Sequence, residues 1–120
     1  GNARALLFPI DWPEPFGLVM IEAMACGTPV IAFRRGSVPE VITPGKSGFI
    51  VKTLDGAVEA LAKVEALDRS KVRESFEKRF TVERMAQDYL AVYRGLPGTR
   101  TEAARIRRRQ GDEVGLQSVA

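Results

Sequence analysis

Two short runs of apolar residues near the start of the chain enclose one helical segment, and this order constrains the fold more than any other feature. The runs ALLFPI (5–10) and TPVIAF (28–33) are typical of strands that are buried on both faces. Between them, GLVMIEAMAC (17–26) is rich in helix-forming residues, and Gly27 follows as a helix-ending residue. Strand, helix and strand in this order predict a βαβ unit with parallel strands.

The rest of the chain up to residue 96 predicts one more strand and further helices. GFIV (48–51) has the composition of a third strand, and SVPEVI (37–42) that of one helical turn. Helices are also predicted over 54–67, over 70–80 and from the capping residue Thr81 onward. The apolar face expected for helix 54–67 consists of Leu54, Val58, Leu61, Val64 (or Glu65) and Leu67. The apolar stripe expected for the last helix consists of Val82, Met85, Ala86, Tyr89 and Tyr93.

These elements predict an α/β fold class, as a Rossmann-like half domain with a short parallel sheet flanked by helices. We expect this domain over residues 1–96 and a polar, Arg-containing disordered tail over 97–120. The tail segment RIRRRQ (105–110) has no interleaved aromatic residues, so we expect no nucleic-acid binding.

The composition excludes several kinds of chemistry. The 120 residues include no histidine, which excludes His-based acid/base catalysis and His metal sites within this chain. The single cysteine, Cys26, excludes an internal disulfide, is expected to be buried as a small hydrophobe and suits a reducing cytoplasm. No uncharged stretch approaches the 18 or so residues that a membrane span requires, so we expect no transmembrane segment and a cytoplasmic location.

The candidate site begins at the turn before the first helix. Gly17 lets backbone amides approach a ligand closely, and the helix dipole there favours an anion. Glu14 precedes the helix and Glu22 lies inside it, so two carboxylates bracket these amides. Since the helix is otherwise apolar all round, Glu22 is expected to be buried. Either it bonds to backbone amides or an Arg within the fold, or it binds a ligand.

Other polar residues near this end of the sheet have two interpretations each. Arg34 and Arg35 follow the second strand and either contact phosphate or pair with nearby carboxylates. Glu40 is expected to be a turn or cap residue rather than part of the site. Trp12 lies in the loop beside Glu14 and packs either over the ligand cleft or, as we expect, on the surface.

The segment EPFGLVMIEAMACGTPV (14–30) resembles the signature of the group 1 (family 4) retaining glycosyltransferases of GT-B fold. Its E-x7-E spacing matches at Glu14 and Glu22. Three further blocks resemble that family in the same order: VPEVI (38–42), SGFIV (47–51) and KRFTVERMAQDYLAVYRGL (78–96). The resemblance covers roughly residues 1–96.

This resemblance implies a role for each motif residue. Glu14 is expected to contact hydroxyls of the donor sugar and is the candidate catalytic residue. The backbone amides of Phe16, Gly17 and Leu18 are expected to face the donor sugar and its diphosphate, and Glu22 the nucleotide ribose. The donor would be a UDP-, GDP- or ADP-sugar. Its sugar would be transferred with retention of the anomeric configuration, and the reaction would need no cofactor and no metal.

The same resemblance implies what the chain lacks. The family's phosphate-binding Arg and Lys lie upstream of the E-x7-E block, and so does the N-terminal acceptor-binding domain. We therefore expect this chain to be inactive alone, and part of the last helix to be bare and to favour self-association. The alternative function is a non-catalytic binding or interaction module derived from the same fold.

Overall fold

Three parallel strands form the sheet, and the central strand is hydrogen-bonded on both sides. Strand β1 spans Leu6–Phe8, β2 spans Val30–Phe33 and β3 spans Gly48–Val51. The sheet order is β1-β2-β3, with both neighbouring pairs parallel. The predicted βαβ unit with parallel strands and the α/β fold class are therefore confirmed.

Prolines limit the length of two strands. The expected strands 5–10 and 28–33 are shorter in the structure, because Pro9 follows β1 and Pro29 precedes β2. A proline has no backbone N–H to donate to a sheet ladder. Where the ladder is formed, its register pairs Leu6 with Val30 and Val30 with Gly48.

The computed structural model describes residues 1–96, in which five α-helices and one short 3-10 helix accompany the sheet. The predicted tail over 97–120, including RIRRRQ, lies outside the described residues. The helices are α1 (Leu18–Ala25), α2 (Val38–Val41), α3 (Leu54–Lys63), the 3-10 helix (Val64–Ala66), α4 (Arg69–Arg79) and α5 (Val82–Gly95). The chain divides into two units, Gly1–Thr81 and a second unit that begins at Val82 with α5.

The two faces of the sheet carry separate apolar clusters. On one face, Met20 and Met24 of α1 and Val72 of α4 pack with Val30 and Ala32 of β2, all of them fully or almost fully buried. On the other face, Ile31 packs with residues of α3 and the 3-10 helix. Successive residues of β2 therefore point to opposite layers, as expected for a strand buried on both faces.

The predicted apolar face of helix 54–67 is wrong for three of its residues. Leu54 is 71% exposed, Val58 69% and Leu61 40%. Ala57 and Ala60 pack against the sheet in their place, beside Val64 and Leu67, which the predicted face does include. Small alanines let the helix backbone approach the β-branched surface of the sheet, so the contacting stripe lies about 100° around the helix from the stripe of large residues.

Two valines of the first unit, Val64 and Val58, allow a direct comparison of the packed and the exposed face of this segment. Val64→Ala removes a side chain that is 1% exposed and should lower the free energy of unfolding by about 1.5–3 kcal/mol. Val58→Ala removes the same methyl groups from an exposed helical position, where the higher helix propensity of Ala leaves stability unchanged within about 0.5 kcal/mol or slightly raised. Urea denaturation of both variants measures the difference. Equal losses would restore the face predicted from the sequence.

The second unit begins with α5, the helix predicted after Thr81. Its described side chains are exposed, and large apolar residues recur along it. These are Val82, Met85, Tyr89, Leu90, Val92 and Tyr93. Among the helices of residues 1–96, none is both long enough and apolar enough to cross a bilayer.

Candidate functional site

Two loops leave the carboxyl ends of neighbouring strands and contact each other. The β1–α1 loop covers residues 9–17, and the β2–α2 loop covers residues 34–37. Because adjacent parallel strands end at the same edge of a sheet, ligands of α/β proteins bind at this edge. The sequence-predicted residues Glu14, Phe16 and Gly17 all lie on the first of these loops.

The Glu14 carboxylate is held by three donors from its own loop. Its Oε1 accepts hydrogen bonds from the Gly17 amide at 3.0 Å and from the Phe16 amide at 3.5 Å. Its Oε2 accepts a hydrogen bond from the indole Nε1 of Trp12 at 3.0 Å. Two of the three amides that the resemblance assigns to the donor sugar and diphosphate, those of Phe16 and Gly17, therefore bind a carboxylate of the protein itself in this structure.

Gly17 gives the loop its entry into α1. It is the N-cap residue and has a left-handed conformation, with φ 77° and ψ 63°, which a glycine adopts without steric cost. Its carbonyl accepts from the Met20 amide at 3.0 Å, which starts the helix. A Cβ at this position would lie 2.4 Å from Cε of Met20, so another residue would have to displace the end of that side chain in addition to adopting a strained conformation.

Aromatic residues flank the carboxylate. Trp12 is more than half exposed, in agreement with its expected surface position, and its indole bond to Glu14 was not predicted. The ring of Phe16 packs edge-to-face on Phe80, with centroids 6.3 Å apart. Phe80 follows α4, and it ties the tip of the β1–α1 loop to that helix.

The prediction that Glu22 is buried is wrong. It is exposed on α1, whose buried side carries only Met20 and Met24. Glu22 lines a shallow cleft of about 260 Å³ beside the edge strand β1, together with Val19 and Cys26. An apolar helix usually buries every face, but α1 packs over the edge of the sheet, and no described strand underlies its outer side.

Cys26 is also exposed, so the expectation that it is a buried hydrophobe is wrong. It is the C-cap residue of α1 and lies one helical turn after Glu22 on the same face. Its exposure has the same cause, because this face of α1 is not covered by another element of the described chain. Residues 1–96 contain no group of three His, Cys, Asp or Glu side chains that could hold a metal ion.

Of the two arginines after β2, Arg34 is exposed, and its backbone carbonyl accepts a hydrogen bond from Nη1 of Arg35 at 3.4 Å. Arg35 pairs with Asp11 of the β1–α1 loop, with Nη2 3.0 Å and Nε 3.3 Å from Oδ1. This contact fits the interpretation of Arg35 as a partner of a nearby carboxylate. Glu40 lies in the first turn of α2, as its expected cap or turn role requires. The hydrogen bond from the Ser37 amide of the β2–α2 loop to the Glu14 carbonyl was not predicted, because no local sequence pattern links two loops.

The structure predicts different consequences for truncating the two motif carboxylates. Glu14→Ala removes the acceptor for three donors at the start of α1 and should lower the free energy of unfolding by about 0.5–2 kcal/mol, as loss of a helix cap does. Glu22→Ala removes an exposed side chain and should change stability by less than about 0.5 kcal/mol. Urea denaturation measures both, and a larger loss for Glu22→Ala would contradict the exposed position of Glu22.

Comparison with known proteins identifies a family over most of the described chain. Residues 1–81 match the family model described as "Glycosyl transferases group 1". The matched region includes all three strands and both loops of the candidate site.

Individual relatives are similar over more than half of the chain. N-acetyl-alpha-D-glucosaminyl L-malate synthase of Bacillus anthracis is 37% identical over 97 residues, which cover 73% of this chain and 25% of that protein. A probable sucrose-phosphate synthase of Thermosipho melanesiensis is 41% identical over 80 residues, which cover 64% of this chain and 19% of that protein. The chain thus matches a quarter or less of the length of these relatives.

A solved structure shares the fold as well as the sequence. The sucrose-phosphate synthase of Thermosynechococcus elongatus superposes with a TM-score of 0.56 at 36% sequence identity. The superposition covers 68% of this chain and 22% of that one.

Proposed function

The chain belongs to the group 1 glycosyl transferases, and we propose that it supplies the donor-binding part of a GT-B enzyme. In this reaction the bond between the sugar anomeric carbon and the diphosphate oxygen breaks. A bond from an acceptor hydroxyl oxygen to the same carbon forms, the nucleoside diphosphate leaves, and the hydroxyl proton passes to the leaving phosphate oxygen or to solvent. The proposal includes retention of the anomeric configuration, as the resemblance to family 4 implies.

The observation that carries this proposal is the carboxylate of Glu14 bound by backbone amides at the start of α1. The amides of Phe16 and Gly17 converge on one carboxylate oxygen, Oε1 of Glu14. Amides that converge at a helix N-terminus bind a phosphate oxygen by the same hydrogen bonds and the same dipole. We assign the donor diphosphate to these amides and to that of Leu18.

Glu14 is suited to contact the donor sugar. An ionised carboxylate offers about four lone-pair positions, and three donors contact this one in the structure. Its remaining acceptor capacity, and that freed when a phosphate takes the amides, is available to sugar hydroxyls. A charged acceptor makes stronger hydrogen bonds to hydroxyls than a neutral one does.

Glu22 is suited to contact the other end of the donor. It lies five residues beyond Gly17, about 7.5 Å further along the helix axis. Its exposure leaves the carboxylate accessible to a ligand, and the cleft that it lines is concave. We assign the ribose hydroxyls of the nucleotide to Glu22.

The rest of the enzyme is part of the same proposal. Since the chain matches only 25% and 19% of the length of the two relatives described above, we assign the acceptor site and the remaining phosphate contacts to segments outside the matched region. We propose that the 120-residue chain alone does not transfer sugar and that the reaction requires neither a metal nor a cofactor. We also propose a cytoplasmic location and self-association of the isolated chain through the exposed apolar residues of α5.

Calorimetric titration of the chain with UDP-glucose, GDP-mannose and ADP-glucose tests the donor site. We expect one nucleotide class to bind selectively. Glu22→Gln should weaken this binding by about 1–3 kcal/mol, because a charged hydrogen bond to the ribose is lost. The matched control is Glu59→Gln, which alters an exposed carboxylate on α3 and should leave the affinity unchanged.

Two results would contradict this assignment. If Glu22→Gln bound the donor as tightly as the parent chain, Glu22 would not contact the nucleotide. If the parent chain unfolded cooperatively but bound none of the three donors, the described residues would not suffice as a donor site.

A further inference from the structure

The turn between β2 and α2 holds the peptide group of Glu14. The amide of Ser37 donates to the carbonyl oxygen of Glu14 at 2.8 Å. The backbone amide of Glu14 donates to the carbonyl of Trp12, in its own loop, at 2.9 Å. Both backbone polar groups of Glu14 are therefore fixed, one by its own loop and one by the neighbouring loop.

Gly36 allows this approach because it has no side chain. A Cβ on Gly36 would lie 2.2 Å from the carbonyl oxygen of Glu14 and 2.5 Å from its amide nitrogen. Contacts this short do not occur in folded proteins, and backbone atoms cannot move aside as a flexible side-chain end can. Gly36 also has a positive φ of 46°, which other residues rarely adopt. Any side chain here would push the two loops apart.

Gly45 separates the effect of contact from that of conformation. It also has a positive φ, 74°, but a Cβ built on it would meet no atom within 4 Å. A substitution at Gly45 therefore carries a cost of backbone conformation similar to that at Gly36, without a clash against another loop.

We propose that Gly36 is a positioning residue for the Glu14 carboxylate. By admitting the Ser37–Glu14 hydrogen bond, Gly36 fixes the backbone from which the Glu14 side chain reaches the Trp12 indole and the Gly17 amide. The ion pair between Arg35 and Asp11 supports the same loop from a second point. The consequence for donor binding rests on the proposed function, whereas the positioning of Glu14 does not.

Trp12 supplies a direct spectroscopic readout. It is the only tryptophan of the chain, so its indole N–H gives a single proton–nitrogen correlation in an NMR spectrum. A hydrogen bond to a carboxylate shifts this proton downfield, and Glu14→Gln gives the reference position without the charge. We expect Gly36→Ala to move the indole resonance toward that reference and Gly45→Ala to leave it at the position of the parent chain.

A second variant covers the case in which Gly36→Ala fails to fold. Arg35→Gln breaks an exposed ion pair to the β1–α1 loop, and we expect a smaller shift of the indole resonance in the same direction. The control is Arg4→Gln, which breaks the exposed Arg4–Glu65 ion pair elsewhere in the first unit and should cause no shift. An unchanged indole resonance in Arg35→Gln and in any folded Gly36→Ala chain would overturn the proposal.

Titration with UDP-glucose, GDP-mannose and ADP-glucose separates this proposal from the proposed function. If a donor binds the parent chain, Gly36→Ala should weaken its affinity by about tenfold, on the order of one lost charged hydrogen bond, and Gly45→Ala should not. If no donor binds the parent chain but the indole resonance still moves in Gly36→Ala, the positioning is supported and the donor site is not. If a donor binds Gly36→Ala as tightly as the parent and the indole resonance is unmoved, the positioning fails while the donor site stands.

Discussion

The central strand β2 determines where the functional loops meet. It hydrogen-bonds to β1 on one side and to β3 on the other, and Val30, Ile31 and Ala32 are almost completely buried from both faces. Neighbouring strands lie about 4.8 Å apart, so the loops that leave β1 and β2 in the same direction begin side by side. The contacts of Ser37 with Glu14 and of Arg35 with Asp11 follow from this placement.

The order of the elements could be predicted because it depends on local composition. Continuous apolar runs around a helix-forming segment specify a βαβ unit, and the structure has that unit with parallel pairing. The faces of the helices could not be predicted in the same way. Periodicity shows which side of a helix is apolar, but which side faces the sheet also depends on how closely the backbones approach. In α3, Ala57 and Ala60 allow that approach, and Leu54 and Val58 are left exposed.

Some features of the candidate site depend on neighbouring residues in the sequence, and others depend on residues far apart in it. The turn at Gly17 and its position before α1 could be read from the sequence, since a helix start with glycine has local signals. The exposure of Glu22 could not, because it depends on α1 lying over an edge strand. The role of Gly36 could not be read either, because a glycine's neighbour in space, here the backbone of Glu14, is on another loop.

In the structure, the Glu14 carboxylate accepts hydrogen bonds from the amides to which we assign a phosphate, so in the proposed donor complex it has to give them up. A diphosphate that takes the amides of Phe16 and Gly17 releases Glu14 from two hydrogen bonds. Glu14 then keeps only the Trp12 indole among its three donors, and each lost charged hydrogen bond that nothing replaces costs about 1–3 kcal/mol. Sugar hydroxyls within reach of Glu14 would replace those bonds. In this proposal the binding of phosphate and sugar is therefore coupled through one side chain, and a nucleotide without its sugar leaves two hydrogen bonds of Glu14 unreplaced. The same coupling makes the position of the Glu14 backbone, which Ser37 and Gly36 hold, important to both halves of the donor.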